Sequence, residues 1–213
     1  MIRAYDKLYL EKARAALARM LDFAVNDLGY DLARFFDLFI RSDMAKRFEE
    51  GDFSVLAGKS GVEIAYEVLE QVEGRAQRVK PTYSMERSAE YWAGWALAYY
   101  QWETALPFED IVAYVPIVDI RALYSPYHEM DIRQFVDKMN EMRRAAKPDT
   151  NLKMRRRKAG LSQKELAELS GVPKRTIQQY EQRQKDINKA QVEYVLMLAK
   201  ALACEPADLI EHA

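Results

Sequence analysis

NLKMRRRKAGLSQKELAELSGVPKRTIQQYEQRQKDINKAQV, residues 151–192, decides how the chain folds at its C-terminal end. Two helices that cross steeply need a small residue where their backbones approach and a turn residue that tolerates left-handed dihedrals. Ala167 and Gly171 stand four apart in those two places, and glycine takes a positive φ without steric cost. Leu166, Val172, Ile177 and Tyr180 supply the apolar contacts that fix the second helix on the first. Glu165 lies three residues after Ser162, so these two can form a capping box that starts the first of the pair. With Ile177 and Tyr180 inward, the 3.6-residue period turns Arg175, Gln178, Gln179 and Gln182 toward solvent.

Charge singles out the same stretch. The chain has 213 residues, 49 % hydrophobic and 31 % charged, a globular composition with a net charge of −1 that by itself argues against a polyanionic partner. That average hides a split. Residues 151–192 carry eleven Lys or Arg against four acids, a surplus of +7, whereas residues 1–148 carry twenty basic residues against twenty-four acids. Segregation of this kind is the electrostatic footprint of a nucleic-acid module tethered to something that does not bind nucleic acid.

From Asn151 to about Ile210 the chain resembles the lambda-repressor-like, XRE-type helix-turn-helix family. The resemblance is carried by Arg156, Gly160-Leu161-Ser162-Gln163, Leu166-Ala167, Gly171-Val172, Thr176-Ile177, Tyr180-Glu181, Leu198-Ala199, Leu202 and Asp208-Leu209. It implies a five-helix domain spanning roughly residues 150–159, 162–169, 173–182, 188–203 and 206–211. The family usually has a glycine near Ala203, so the turn before the last helix is expected to differ. The resemblance also implies that helix 173–182 enters the major groove of double-stranded DNA. Lys174, Arg175, Thr176, Gln178 and Gln179 would meet base edges: arginine can grip guanine O6 and N7, and glutamine adenine N6 and N7. The amide end of the second helix, with Ser162, Gln163 and Lys164, would meet a phosphate. Arg183, Lys185 and Lys189 would hold the same strand, while Arg155, Arg157 and Lys158 are equally readable as a solvated face. In the family, Arg156 and Glu181 pair across the first and third helices, so they would orient the recognition helix rather than read DNA.

The preceding residues read as helices, making the expected fold all-α, with a helical domain 1–148 followed by a DNA-binding domain 149–213. Leu8, Leu17, Met20, Leu21, Ala24, Val25 and Leu28 recur at helical spacing up to Gly29. Asp31 is a cap candidate for a stripe of Leu32, Phe35, Phe36 and Phe39, and a short helix spans 43–49. Gly58-Lys59-Ser60 has the tail of a phosphate loop, but Phe53 stands where that loop needs its first glycine, so Ser60 is read as a helix cap. Residues 73–83 read as a connection. After Ser88, the residues Tyr91, Trp92, Trp95, Tyr99, Tyr100 and Trp102 fall all round a helical wheel; such a segment is either a buried centre or the wall of a recognition surface. The β-branched run 111–118 is compatible with a strand, but Pro107 and Pro116 favour two short helices that each have a proline in the first turn. Asp131 is placed to cap a helix with Ile132, Phe135, Val136, Met139 and Met142 on one side. The domain boundary is expected near Pro148, with Asp149 or Thr150 capping the first helix of the second domain.

Other chemistry is thin. His128-Glu129 lacks the second histidine of a zinc-protease motif, since Ile132 occupies that place, and with His128, His212 and Cys204 alone no metal or cofactor is expected. A single cysteine excludes an internal disulfide, and no segment has the apolar run of a signal peptide or a membrane span, which points to the cytoplasm. Glu109 and Asp110 are adjacent acids without a nucleophile or base, so the chain is not read as an enzyme. The expected function is a sequence-specific transcription regulator, a repressor acting as a homodimer on a pseudo-palindromic operator. The alternatives are an antitoxin that represses its own operon and neutralises a toxin through the N-terminal domain, or an enzyme domain localised by the DNA module.

Overall fold

A computed structural model of the chain describes residues 3–74, 77–82, 87–146 and 149–211, and every regular element among them is helical. Pro148, His212 and parts of the expected connection 73–83 lie outside the described residues. The chain divides into two compact units, Met1–Ala145 and Ala146–Ala213. No helix among the described residues is long and apolar enough to cross a membrane.

The first unit is organised around α1 (Leu10–Asp22) and α6 (Ala89–Thr104). A Cβ on Gly94 would lie 2.6 Å from the Leu17 carbonyl oxygen and 2.8 Å from the Ala18 Cα, so only glycine lets these two backbones approach. Ala93, Ala96, Leu97 and Ala98 of α6 are fully buried. The apolar wheel after Ser88 is thus the centre of its unit. A short 3₁₀ turn, Lys7–Tyr9, precedes α1, and five residues in π geometry, Phe23–Asp27, come after it. Leu8 falls on that turn and is 84 % exposed, so the buried stripe begins at Leu10 and excludes it.

α2 (Leu32–Arg41) is capped by Asp31, whose carboxylate accepts from the Arg34 amide, and α3 spans Asp43–Glu49. The next turn, α4 (Phe53–Leu56), is helical. α5 (Gly61–Glu73) starts with a capping box between Ser60 and Glu63. The Ser60 amide donates to the Glu63 carboxylate at 2.7 Å and Lys59 is paired with Glu67, so the Gly-Lys-Ser segment is committed to a helix start. In the connection after α5, the Tyr66 hydroxyl donates to the Val79 carbonyl and accepts from its amide, both at 3.0 Å.

α7 (Phe108–Val112) and α8 (Ile117–Ala122) replace the strand alternative, with Pro107 and Pro116 one position earlier than expected, at the caps themselves. A kinked turn, α9 (Tyr124–Tyr127), leads to α10 (Ile132–Ala146), where the Asp131 carboxylate accepts from the Arg133 amide. Phe36, Phe39, Phe48 and Phe108 meet ring to ring, with centroids 5.4 to 6.5 Å apart, and join α2, α3 and α7 into one core.

The second unit contains α11 (Asn151–Lys158), α12 (Gln163–Ser170), α13 (Lys174–Glu181) and α14 (Val192–Ala201). Leu152, Leu166, Val172, Ile177, Leu198 and Leu209 close its core. Two boundaries differ from expectation. The helix expected from residue 188 begins at Val192, because Ile187–Lys189 form a separate 3₁₀ turn, and the last helix is only a 3₁₀ turn, Pro206–Leu209. Between α14 and that turn, Ala203 adopts φ +50°, so an alanine holds the left-handed position expected of a glycine.

Candidate nucleic-acid interface

α12 and α13 are built as their residues dictate. The Ser162 hydroxyl accepts from the Glu165 amide at 3.2 Å, and the Glu165 carboxylate accepts from the Ser162 amide at 2.7 Å. Those bonds hold the Glu165 carboxyl below the usual carboxylate range, the backbone amide contributing most. α12 ends at Gly171, with φ +74°, and α13 starts after Pro173. Ile177 and Tyr180 are buried, whereas Lys174, Arg175 and Gln182 are exposed and Thr176, Gln178 and Gln179 are half-buried. Lys174, Arg175, Thr176, Gln178 and Gln179 therefore lie on one eight-residue helix, α13.

A buried network holds that helix. The Arg156 guanidinium donates from Nε and Nη2 to the two oxygens of Glu181, at 2.6 and 2.8 Å, and from Nη1 to the Leu161 carbonyl at 2.7 Å. The Glu181 side chain is 1 % exposed. Its hydrogen bond pushes the Arg156 pKa further up. Gln163 Nε2 donates to Glu181 Oε2 at 2.7 Å, so this side chain ties α12 to α13.

The basic residues fall into two groups. Lys164, Lys185 and Lys189 are exposed; Lys164 lies 3.8 Å from Glu168 and Lys189 lies 3.7 Å from Asp186. Arg183 is engaged instead. It adopts φ +53° at the end of α13, its side chain is 23 % exposed, and Nη2 lies 3.2 Å from Glu211. Arg155 pairs with Asp208 at 2.9 Å and Arg157 with Asp149. Thr150 is the cap of α11, its hydroxyl accepting from the Lys153 amide at 3.2 Å, while Asp149 pairs with Lys153 at 2.6 Å.

Sequence reasoning missed two features. Glu211 accepts from the Asn151 amide at 2.7 Å, binds Arg183, and exchanges backbone bonds with the Asn188 side chain, so it gathers three separate segments. A lone acid sixty residues from one of its partners leaves no local pattern. Beside α13 an open groove of about 490 Å³ is lined by Thr176, Tyr180, Lys185, Lys189, Gln191 and Tyr194, among others. Tyr194 could have been suspected as an aromatic just after a basic loop. Among the described residues no cluster of His, Cys, Asp and Glu could hold a metal ion. Cys204 is half-buried, and burial pushes its thiol pKa up.

No curated protein and no solved structure matches the chain. Residues 152–209, which span α11 to the final 3₁₀ turn, match the model of the Helix-turn-helix family. In helix-turn-helix proteins the second helix of the pair lies in the major groove. Residues 152–209 of this chain are an XRE-type helix-turn-helix domain, the module of a DNA-binding regulator.

Proposed function

We propose that the protein is a sequence-specific transcriptional repressor that places α13 in the major groove. The observation carrying this reading is that Lys174 and Arg175 are exposed at the start of a helix whose opposite end is locked through Glu181 to Arg156 and Gln163. Lys174, Arg175, Thr176, Gln178 and Gln179 read bases. Lys164, Lys185 and Lys189 contact phosphates, with Ser162 offering the amide end of α12. Gln163 and Arg183 contribute to positioning, given their bonds to Glu181 and Glu211. One eight-residue helix reads only a few base pairs, so a homodimer on a pseudo-palindrome supplies the specificity. Residues 1–148 sense, oligomerise or bind a partner, and act without catalysis, in the cytoplasm.

The acidic balance of residues 1–148 favours one second reading, an antitoxin whose N-terminal part binds a basic toxin. Footprinting on the DNA upstream of the protein's own coding sequence, with and without the product of the adjoining gene, tests both. Two protected half-sites about one helical turn apart support the repressor. Unprotected DNA, or equal affinity for random duplex, overturns it. Stoichiometric capture of a small basic neighbour selects the antitoxin.

A further inference from the structure

The aromatic segment of α6 is not wholly consumed by the core. Tyr91 and Trp95, at i and i+4, remain half-exposed, while Trp92 is buried. With Arg87, Tyr124 and His128 these three line a cavity of about 190 Å³ in the first unit. Its walls are flat and fixed. Tyr124 meets Trp92 edge to face at 5.9 Å and is stacked against His128 at 4.1 Å, with 14° between the planes. The His128 Nδ1 lies 2.8 Å from the Tyr124 carbonyl, an oxygen that only accepts, so Nδ1 carries the proton and the ring is oriented. Trp95 is held from another side by the Arg14 guanidinium, 3.3 Å from its ring.

Size, shape and charge together define a ligand. A dry cavity of about 150 Å³ takes up one benzene ring, and drug-sized ligands need about 300 Å³ or more, so this one suits a single ring or an indole. Flat aromatic walls favour a flat π-system. Among the described residues, no carboxylate lines it. The nearest acid on α6, Glu90, is buried and paired with Arg121, and Glu129 lies 3.5 Å from His128 Nε2. The Arg87 guanidinium carbon stands 5.0 Å from the Tyr91 centroid, and Arg87 makes no ion pair among the described residues. An aromatic cage for a cation would not carry an unpaired arginine on its wall.

We propose that this cavity is a binding site for a small planar aromatic carboxylate, its ring between Trp95 and Tyr124 and its carboxylate on Arg87. The site is independent of the DNA reading, because its occupancy is measured without DNA.

The test is titration of the full chain with benzoate and indole-3-acetate, following tryptophan fluorescence and the Trp95 indole N–H resonance. Saturable changes are expected, with indole and benzylamine binding more weakly than the acids. Arg87→Gln, at an exposed position, should weaken the acids about tenfold, the value of one charge-assisted contact, and leave indole unchanged. Tyr124→Ala should weaken acids and indole alike. The proposal is overturned if the acids give no saturable change up to millimolar concentration, if benzylamine binds as well as benzoate, or if Arg87→Gln has no effect. It is also overturned if a peptide ending in tryptophan binds more tightly than the free acids, which would make a chain terminus the ligand.

Discussion

Glu181, at the last position of α13, is buried and grips Arg156 of α11 through both carboxylate oxygens, at 2.6 and 2.8 Å. The helix proposed to read DNA is therefore held by a buried ion pair. Glu181→Ala leaves the Arg156 guanidinium, 11 % exposed, without its counter-charge, which costs about 3 kcal/mol or more. A markedly lower melting temperature together with weaker DNA binding is the expected result. An unchanged melting temperature would show that the pair does not hold the helix.

Arg175 and Lys185 should separate base reading from backbone holding. Arg175→Ala is expected to cost about 1 to 3 kcal/mol on the preferred site and to relax base preference, whereas Lys185→Ala weakens all duplexes alike and lowers the salt slope by about one. Binding isotherms at several salt concentrations, on operator and random DNA, check this. Identical behaviour of the two variants contradicts the division.

Ala203 bears the steric penalty of a left-handed backbone at φ +50°. Ala203→Gly removes that strain while adding some freedom to the unfolded chain, for a net gain of about 0.5 to 1 kcal/mol. Urea denaturation should show a higher midpoint at constant slope, and a lower midpoint would refute the assignment.

Asp52 caps α4 and accepts from the Ser54 amide and hydroxyl and from Arg47 Nε. Those bonds, with Ser54 first, pull its carboxyl down to about 2. A carboxyl depressed in the folded state stabilises above its unfolded value of about 4, and this contribution disappears as pH falls from about 4 through about 2. Asp52→Asn should therefore melt lower than the parent at about pH 6, above both values, and converge with it near pH 2. A constant gap across that range would contradict the linkage.

The legible part of the sequence was local. The Ser162 capping box, Gly171 and the inward pair Ile177 and Tyr180 sit within one or two turns of each other, and spacing alone orders them. Spacing misplaces the start of α14 because Ile187–Lys189 is pinned by Asn188 to Glu211, twenty-three residues away. Long-range partners likewise engage Gln163 and Arg183. In the first unit the apolar wheel of α6 identifies a centre, yet only the approach of Gly94 to Leu17 decides which side is sealed and which leaves Tyr91 and Trp95 at a cavity.

Of the two Glu211 carboxylate oxygens, one receives the Asn151 amide, where the chain enters the DNA-binding unit, and the other lies against Arg183, two residues beyond the recognition helix. The threshold of the unit and the foot of its reading helix thus share a single lever arm. A tug on the backbone at Asn151 is one side chain away from the end of the helix proposed to enter the groove.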